Sequence, residues 1–440
     1  MENVRQFTLF EYEKSNNKMH SLAWGPKDTN FIDNMLLPIH RWFRFPAGFS
    51  AEWVKKVIKW RLAQNEWSID DVIVLDPFAG SGTTILAAEE LGVKAYGVEA
   101  HPFLAKIAAI KLAWKNVNPR NLERYAMEVL NTAKSQNWDL MEYPSLIKRM
   151  YPIDVLKDLN SLRLAWEFHN DNSTESEIVW LAITAILRQT SNRGTAPWQY
   201  ALPKKKRKKF TPPYEAFQKQ ISLMVQDIHY FNRKAHPTGE IIHDDIRYTE
   251  KISSNTISLV ITSPPYANNY DYADAVRLEL SFWGEVNKWR DLQEKVRKYL
   301  IRSCTQHVSY ENVNLEKLLE GLKQTPIYED IRDTCNKLAK ERLKHGGKKQ
   351  YHLMIAAYFS DLYLAWKNLR RMCKKECIIG FVIGDSAPYG IYVPVDDWLG
   401  ELAISSGFYT YYFDKIKDRN VKWKNRKHKV PLKEGILWVR

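Results

Sequence analysis

The chain predicts an α/β fold built on one open, mostly parallel sheet, and three observations lead there. Short continuous apolar runs, such as Val72-Ile73-Val74-Leu75 and Ile257-Ser258-Leu259-Val260-Ile261-Thr262, have the character of strands buried on both faces. The first of them runs directly into a glycine-rich turn and an apolar-periodic helix. Seven strand candidates can be counted in all, a number that suits a single sheet.

The order of elements follows from local pattern. After the first strand, Asp76-Pro77-Phe78-Ala79-Gly80-Ser81-Gly82-Thr83-Thr84 reads as a turn and Ile85 to Leu91 as a helix. Gly92 stops that helix, and Val93 to Glu99 forms a second strand ending on a carboxylate, which completes a βαβ unit with a right-handed crossover. A helix from about Pro102 to Trp114 follows, with apolar Leu104, Ile107, Ala108 and Leu112. The α/β rhythm then stops. Residues 115–237 read as a largely helical insertion, interrupted by a loop around Ser191 to Trp198 and the basic run Lys204 to Lys209. Strands resume at Glu240 to Asp245 and Ile257 to Thr262, the latter leading into Ser263-Pro264-Pro265-Tyr266. A second helical, charged insertion spans 285–350, and a long helix covers Tyr351 to Met372. The strand Cys377 to Asp385 and a final antiparallel pair, Phe408 to Phe413 and Gly435 to Val439, complete the sheet. The expected organisation is therefore 1–114, 238–284 and 351–440 as one α/β domain, with insertions at 115–237 and 285–350.

Composition narrows the class of partner. Sixty-five Lys and Arg against 51 Asp and Glu leave a net charge of +14, which points to a polyanion, nucleic acid being the commonest and an anionic membrane surface the rival. With 45% hydrophobic residues the chain is too apolar for wholesale disorder. No stretch has the roughly 18 to 20 apolar residues of a membrane span and the start lacks a signal-peptide core, so a cytoplasmic protein without membrane attachment is expected. Cys304, Cys335, Cys373 and Cys377 are irregularly spaced; they read as reduced, mostly buried thiols and offer no metal site.

Three features carry chemistry. Gly80 and Gly82 let the backbone turn tightly and approach a ligand, in front of a helix N-terminus. The lysine of a P-loop is missing, and Ile85 stands where a dinucleotide fingerprint has its third glycine, so a pyrophosphate ligand is disfavoured. Glu99, about twenty residues on, is placed to accept both hydroxyls of a ribose, and together the two features favour an adenosine ligand without pyrophosphate. The third feature is Ser263-Pro264-Pro265-Tyr266. Two prolines after a buried strand cannot continue a ladder, so the chain leaves the sheet as a stiff turn aiming carbonyls outward, able to accept hydrogen bonds from an exocyclic amine while Tyr266 stacks on the attached ring.

With these residues in place, the sequence resembles the S-adenosylmethionine-dependent DNA amino-methyltransferases, which methylate cytosine N4 or adenine N6. His40 to Phe49 resembles the family segment that closes over the methionine end of the cofactor, Ile242 to Arg247 the third-strand segment, and Val382 to Ser386 the strand after the catalytic one. The resemblance covers about residues 38–114, 238–284 and 351–440 and implies a Rossmann-like methyltransferase fold with a seven-stranded sheet. It implies catalytic roles for Ser263, Pro264, Pro265 and Tyr266. It implies S-adenosylmethionine contacts for Pro46, Phe49, Asp76, Pro77, Phe78, Ala79, Gly80, Gly82, Thr83, Glu99 and Asp245, the last holding the adenine amino group. Ser at the first position of the catalytic turn leans toward cytosine N4, with adenine N6 the alternative.

Carbon-5 methylation needs a cysteine nucleophile, usually after proline, and no cysteine here follows proline. An RNA or protein amide methyltransferase and an inactive nucleic-acid-binding protein are the remaining rivals. The expected substrate is double-stranded DNA carrying a base flipped out of the helix, and a restriction endonuclease or other defence protein is a partner that such an enzyme can have, although the sequence does not say whether one exists. About 180 residues separate Gly82 from Ser263, so the first insertion is the candidate reader of the target. Phosphate contacts are expected from Lys204, Lys205, Lys206, Arg207, Lys208 and Lys209 and from the C-terminal Lys422, Lys424 and Arg426; Arg193, with Asn192, Trp198 and Gln199 beside it, has the chemistry for base contacts.

Overall fold

The computed structural model describes residues 31–63, 67–196, 200–232, 239–309, 314–419 and 430–440. Its strands are β1 (Ile73–Asp76), β2 (Lys94–Glu99), β3 (Arg193–Thr195), β4 (Ala201–Lys206), β5 (Gly239–His243), β6 (Ile257–Thr262), β7 (Cys373–Gly384), β8 (Tyr411–Arg419) and β9 (Leu432–Val439). Seven of them form one sheet in the order β5-β2-β1-β6-β7-β9-β8. The first five are mutually parallel, whereas β9 runs antiparallel to both β7 and β8. This is the mostly parallel, Rossmann-like α/β sheet expected from the apolar runs.

Those runs are predominantly apolar because both faces of the sheet are covered, and the pleat sends alternate residues to opposite sides. Val74, Leu259, Ile261, Val382, Ile436 and Trp438 enter one core. Their neighbours Leu75, Val260, Phe381, Ile383, Leu437 and Val439 enter the other. The first core is closed by the helices Ala51–Leu62, Thr83–Glu89 and Pro102–Leu112 together with the first insertion, whose helices include Pro119–Ser135, Ile153–His169, Thr174–Ile186 and Pro213–Phe231. The second is closed by Tyr328–Lys344, Tyr351–Met372 and Val395–Ser405. Both insertions thus supply core, the first on one side of the sheet and much of the second on the other.

Two expectations need correction. The segment around Ser191 to Trp198 is not simply a loop, since β3 (Arg193–Thr195) lies within it and pairs antiparallel with β4, which carries Lys204 to Lys206 of the basic run. Nothing in Pro203-Lys204-Lys205-Lys206 alternates apolar with polar, so the pairing leaves no trace in the hydrophobic pattern. The last pair is also longer than expected: β8 extends to Arg419, where Lys417 and Arg419 pair with Glu434 of β9, so these cations are committed within the sheet. The four cysteines are buried free thiols, as expected. Among the described residues no helix is long and apolar enough to cross a membrane, and no cluster of His, Cys, Asp or Glu could hold a metal ion.

Candidate active site

From β1 the chain goes to β2 and β5 on one side and to β6 and β7 on the other, so the topology switches between β1 and β6, the place where open α/β sheets bind ligands beyond their strand ends. A cleft of about 800 Å³ lies there, bounded by the turn after β1, the end of β2, the turn after β6 and the segment around Phe45 to Phe49.

The glycine turn takes the shape its residues allow. Gly80 and Gly82 both have positive φ, 53° and 85°, and a Cβ on Gly82 would lie 3.3 Å from that of Ala108. Ile85 replaces the third glycine of a dinucleotide fingerprint, and the room it needs comes from the sheet: a Cβ on Gly97 or Gly239 would sit 2.6 or 2.3 Å from Ile85. Beneath the turn the fully buried Lys111 donates from Nζ to the Ser81 carbonyl at 3.0 Å, and burial pushes its ammonium down to about 7.

Glu99 faces the cleft from the end of β2. Gly80 N–H donates to its Oε2 at 2.6 Å and His101 N–H to its Oε1 at 2.7 Å, which fixes the carboxylate while leaving lone pairs on both oxygens. Burial pushes its pKa up to about 7; those backbone bonds oppose the shift and the nearby Asp76 adds to it. Asp76 lies under the cleft and not on its wall. Its Oδ2 accepts from Thr84 and its Oδ1 from Thr262, both at 2.6 Å, while Phe78 N–H donates to Oδ1 at 3.1 Å. Because Thr262 immediately precedes Ser263, one buried carboxyl, pushed up to about 6 by burial, ties the two turns together.

Ser263 and Pro265 line the cleft, and the Ser263 hydroxyl donates to the Val382 carbonyl at 3.3 Å. Tyr266 is half-buried beside it. Its backbone N–H donates to the Tyr272 hydroxyl at 3.0 Å, and the Arg419 guanidinium lies 5.4 Å from its ring centroid. Asp245 reaches the cleft after β5 with its carboxylate gripped by Arg247, whose Nε stands 3.0 Å from each oxygen.

Of the residues expected at the cofactor, Phe49, Pro77, Phe78, Ala79, Gly80, Thr83, Glu99 and Asp245 line this cleft. Pro46, Asp76 and Gly82 do not, although Phe45 and Ala47, the neighbours of Pro46, do; Pro264 and Tyr266 also stand outside the lining. Sequence reasoning missed His101, Tyr272 and Tyr299 to Ile301 on the wall. His101 is buried with Nδ1 accepting from Phe103 N–H at 3.2 Å, as the cap of the helix Pro102–Leu112, and burial pushes it down to about 3. Its position two residues after Glu99 and one before a proline was a readable cap signal. Tyr299 to Ile301 come from the second insertion and carried no signal.

The expected nucleic-acid residues stand apart from the cleft. Arg193 is on β3, Lys204, Lys205 and Lys206 are on β4, and Arg207, Lys208 and Lys209 follow it, all six of the run exposed. Lys422, Lys424 and Arg426, like Trp198 and Gln199, lie outside the described residues.

A carboxylate with open acceptors, a glycine turn of close approach and an aromatic wall of Phe45, Phe49 and Phe78 fit a ribose, the amino-acid tail and a flat base, the parts of S-adenosylmethionine. Comparison with known proteins agrees. A family model described as DNA methylase, of the N6/N4 class, matches residues 6–110. The type II methyltransferase M.BsoBI of Geobacillus stearothermophilus is 25% identical over 434 residues, covering 90% of this chain and 84% of its own. M.AvaI of a Nostoc species is 24% identical, covering 87% and 81%, and M.MvaI of Kocuria varians 21%, covering 88% and 86%. No solved structure matches. The similarity runs through both insertions as well as the cleft-bearing segments, and it is to DNA amino-methyltransferases, whose methyl donor is S-adenosylmethionine.

Proposed function

We propose that the chain methylates the N4 amine of a cytosine flipped out of double-stranded DNA. The observation that carries the reading is Ser263, which opens the turn after β6, lines the cleft, and is joined through Thr262 and Asp76 to the glycine turn. Glu99 would hold the ribose of the cofactor and Asp245 its adenine amine, with Phe49, Phe78 and Gly80 around them. When bound, the cofactor supplies an electrophilic methyl group on a sulfonium. The chain's own task is to prepare the nucleophile, because the lone pair of an arylamine is delocalised into the ring. The Ser263 Oγ and the Pro264 carbonyl accept hydrogen bonds from the amine hydrogens, which favours tetrahedral nitrogen and aims its lone pair in line. Tyr266 stacks on the extruded base. On this reading, a restriction endonuclease of the same specificity would be the partner.

Methylating duplex DNA with the purified chain and identifying the modified nucleoside by mass spectrometry tests the reading. N4-methylcytosine is expected. N6-methyladenine would overturn the choice of base and leave the reaction class standing, and product on C5, on RNA alone or on protein would overturn both. Ser263→Ala should lower the methyl-transfer rate with little change in DNA affinity, most of which comes from phosphate contacts.

A further inference from the structure

The segment that forms one wall of the cleft also forms a wall of a second, quite different groove. Phe45, Ala47, Gly48 and Phe49 line the cleft, while Arg41 to Arg44 line a groove of about 1170 Å³ whose other side comes from the first insertion. Five cationic side chains, Arg41, Arg44, Arg188, Lys205 and Arg207, line it against the single carboxylate of Glu279. They are held in place by the fold. Asp227, on the helix Pro213–Phe231, accepts from the backbone N–H of Ile39, the Trp42 indole and the Arg41 guanidinium at 2.9, 3.0 and 3.1 Å. Arg188 forks onto Glu279 at 2.6 and 2.7 Å, and Arg207 donates to the Arg188 carbonyl at 2.8 Å. The Lys205 stem lies over Gly194, where a Cβ would be 2.9 Å from its Cδ.

Gathering these cations costs energy. Burial and then the charge of Arg188 both hold the Arg44 guanidinium below its ordinary value, so an anion entering between them is stabilised. Guanidinium forks match phosphate oxygens in geometry as well as charge. The groove is also tied to the catalytic turn: Tyr200, one residue before β4, stacks on Tyr270 at 5.4 Å, and its hydroxyl accepts from Asp271 N–H at 2.9 Å.

We infer that this groove grips the sugar-phosphate backbone of the duplex whose base enters the catalytic turn, and that of the basic run Lys205 and Arg207 are the residues that do so. The inference rests on the proposed action on DNA. It selects two residues from a run in which every side chain is exposed and cationic, so it separates a built site from a diffusely charged surface.

The test measures affinity of the full chain for two unrelated duplexes by fluorescence anisotropy across a range of salt. Lys205→Gln with Arg207→Gln should reduce the slope of log affinity against log salt by about 1.8, from about 0.9 per phosphate contact, which corresponds to a loss of about 30-fold at 0.15 M salt for both sequences. Lys208→Gln with Lys209→Gln removes equal charge from the same run outside the groove lining, and should change the slope by less than half as much. Calorimetric affinity for S-adenosylmethionine, unchanged in both double variants, verifies that they fold. Equal losses from the two pairs, or an unchanged slope in the first, would overturn the groove assignment. Wild-type protein that methylates no DNA would instead overturn the function on which it rests.

Discussion

Cofactor affinity should depend on pH through Glu99. In the free protein burial has pushed this carboxyl up to about 7, so near neutrality it is about half protonated. Ribose hydroxyls donating to it favour the ionised form by roughly 1.5 to 3 kcal/mol, the worth of hydrogen bonds to a charged group. At 1.36 kcal/mol per pKa unit, that is a drop of about 1 to 2 units on binding, from about 7 to about 5 or 6. The sign follows: the ligand selects the ionised state, so a proton is released, and affinity falls as pH falls through 7. Between pH 8 and 5 the loss should be about 8- to 50-fold, levelling off below the lowered value. Calorimetry in two buffers of different ionisation enthalpy reads both the affinity and the proton released. Glu99→Gln provides the control, because the ligand's own ionisations persist in it while the contribution of the carboxyl is gone. Identical pH profiles for the two proteins, or wild-type affinity that rises as pH falls, would refute the assignment of Glu99 to the ribose.

Two further outcomes concern the floor of the site. Gly97→Ala places a methyl 2.6 to 2.9 Å from Ile85, Ile241 and Ala79 and should cost about 1 to 3 kcal/mol in urea denaturation, part of which Ile85→Val restores; a neutral Gly97→Ala would mean that Ile85 does not depend on the sheet glycines. Lys111 binds its proton to about pH 7 when folded against an ordinary 10.5, so the unfolded chain holds the extra proton between those values and stability should rise from pH 7 to 9 by up to about 2.7 kcal/mol; Lys111→Met should flatten that rise, and an equally steep curve in the variant would count against a buried, neutral lysine.

Much of the α/β frame was legible because the parallel strands are covered on both sides. Val72 to Leu75 is apolar at every position and Ile257 to Thr262 at all but Ser258 and Thr262, and such runs identify themselves without knowledge of their partners. Gly80, Gly82 and Glu99 were equally legible, since a positive φ and a carboxylate at a strand end are local requirements. The hairpin of β3 and β4 was not, because its run of exposed lysines shows no alternation of apolar with polar residues. Nor could Tyr299 to Ile301 be placed on the cleft, for nothing near them in the chain points to a wall built with residues about 200 positions earlier.

By itself the sequence determined the class of sheet, the glycine turn, the carboxylate of β2 and the stiff turn after β6, each set by sterics and hydrogen-bonding capacity within a few residues. Tertiary structure alone decided which of them share a cavity and what holds them there. Asp76 reads as one more member of a motif, yet it is buried between Thr84 and Thr262 and joins two turns far apart in the chain. Arg41 and Arg207 read as two among 65 cations, yet the helix bearing Asp227 and the hairpin beside Tyr200 bring them to one groove. Pairings of this kind depend on chain closure over long loops, where the energy lies in contacts between segments that carry no mark of one another.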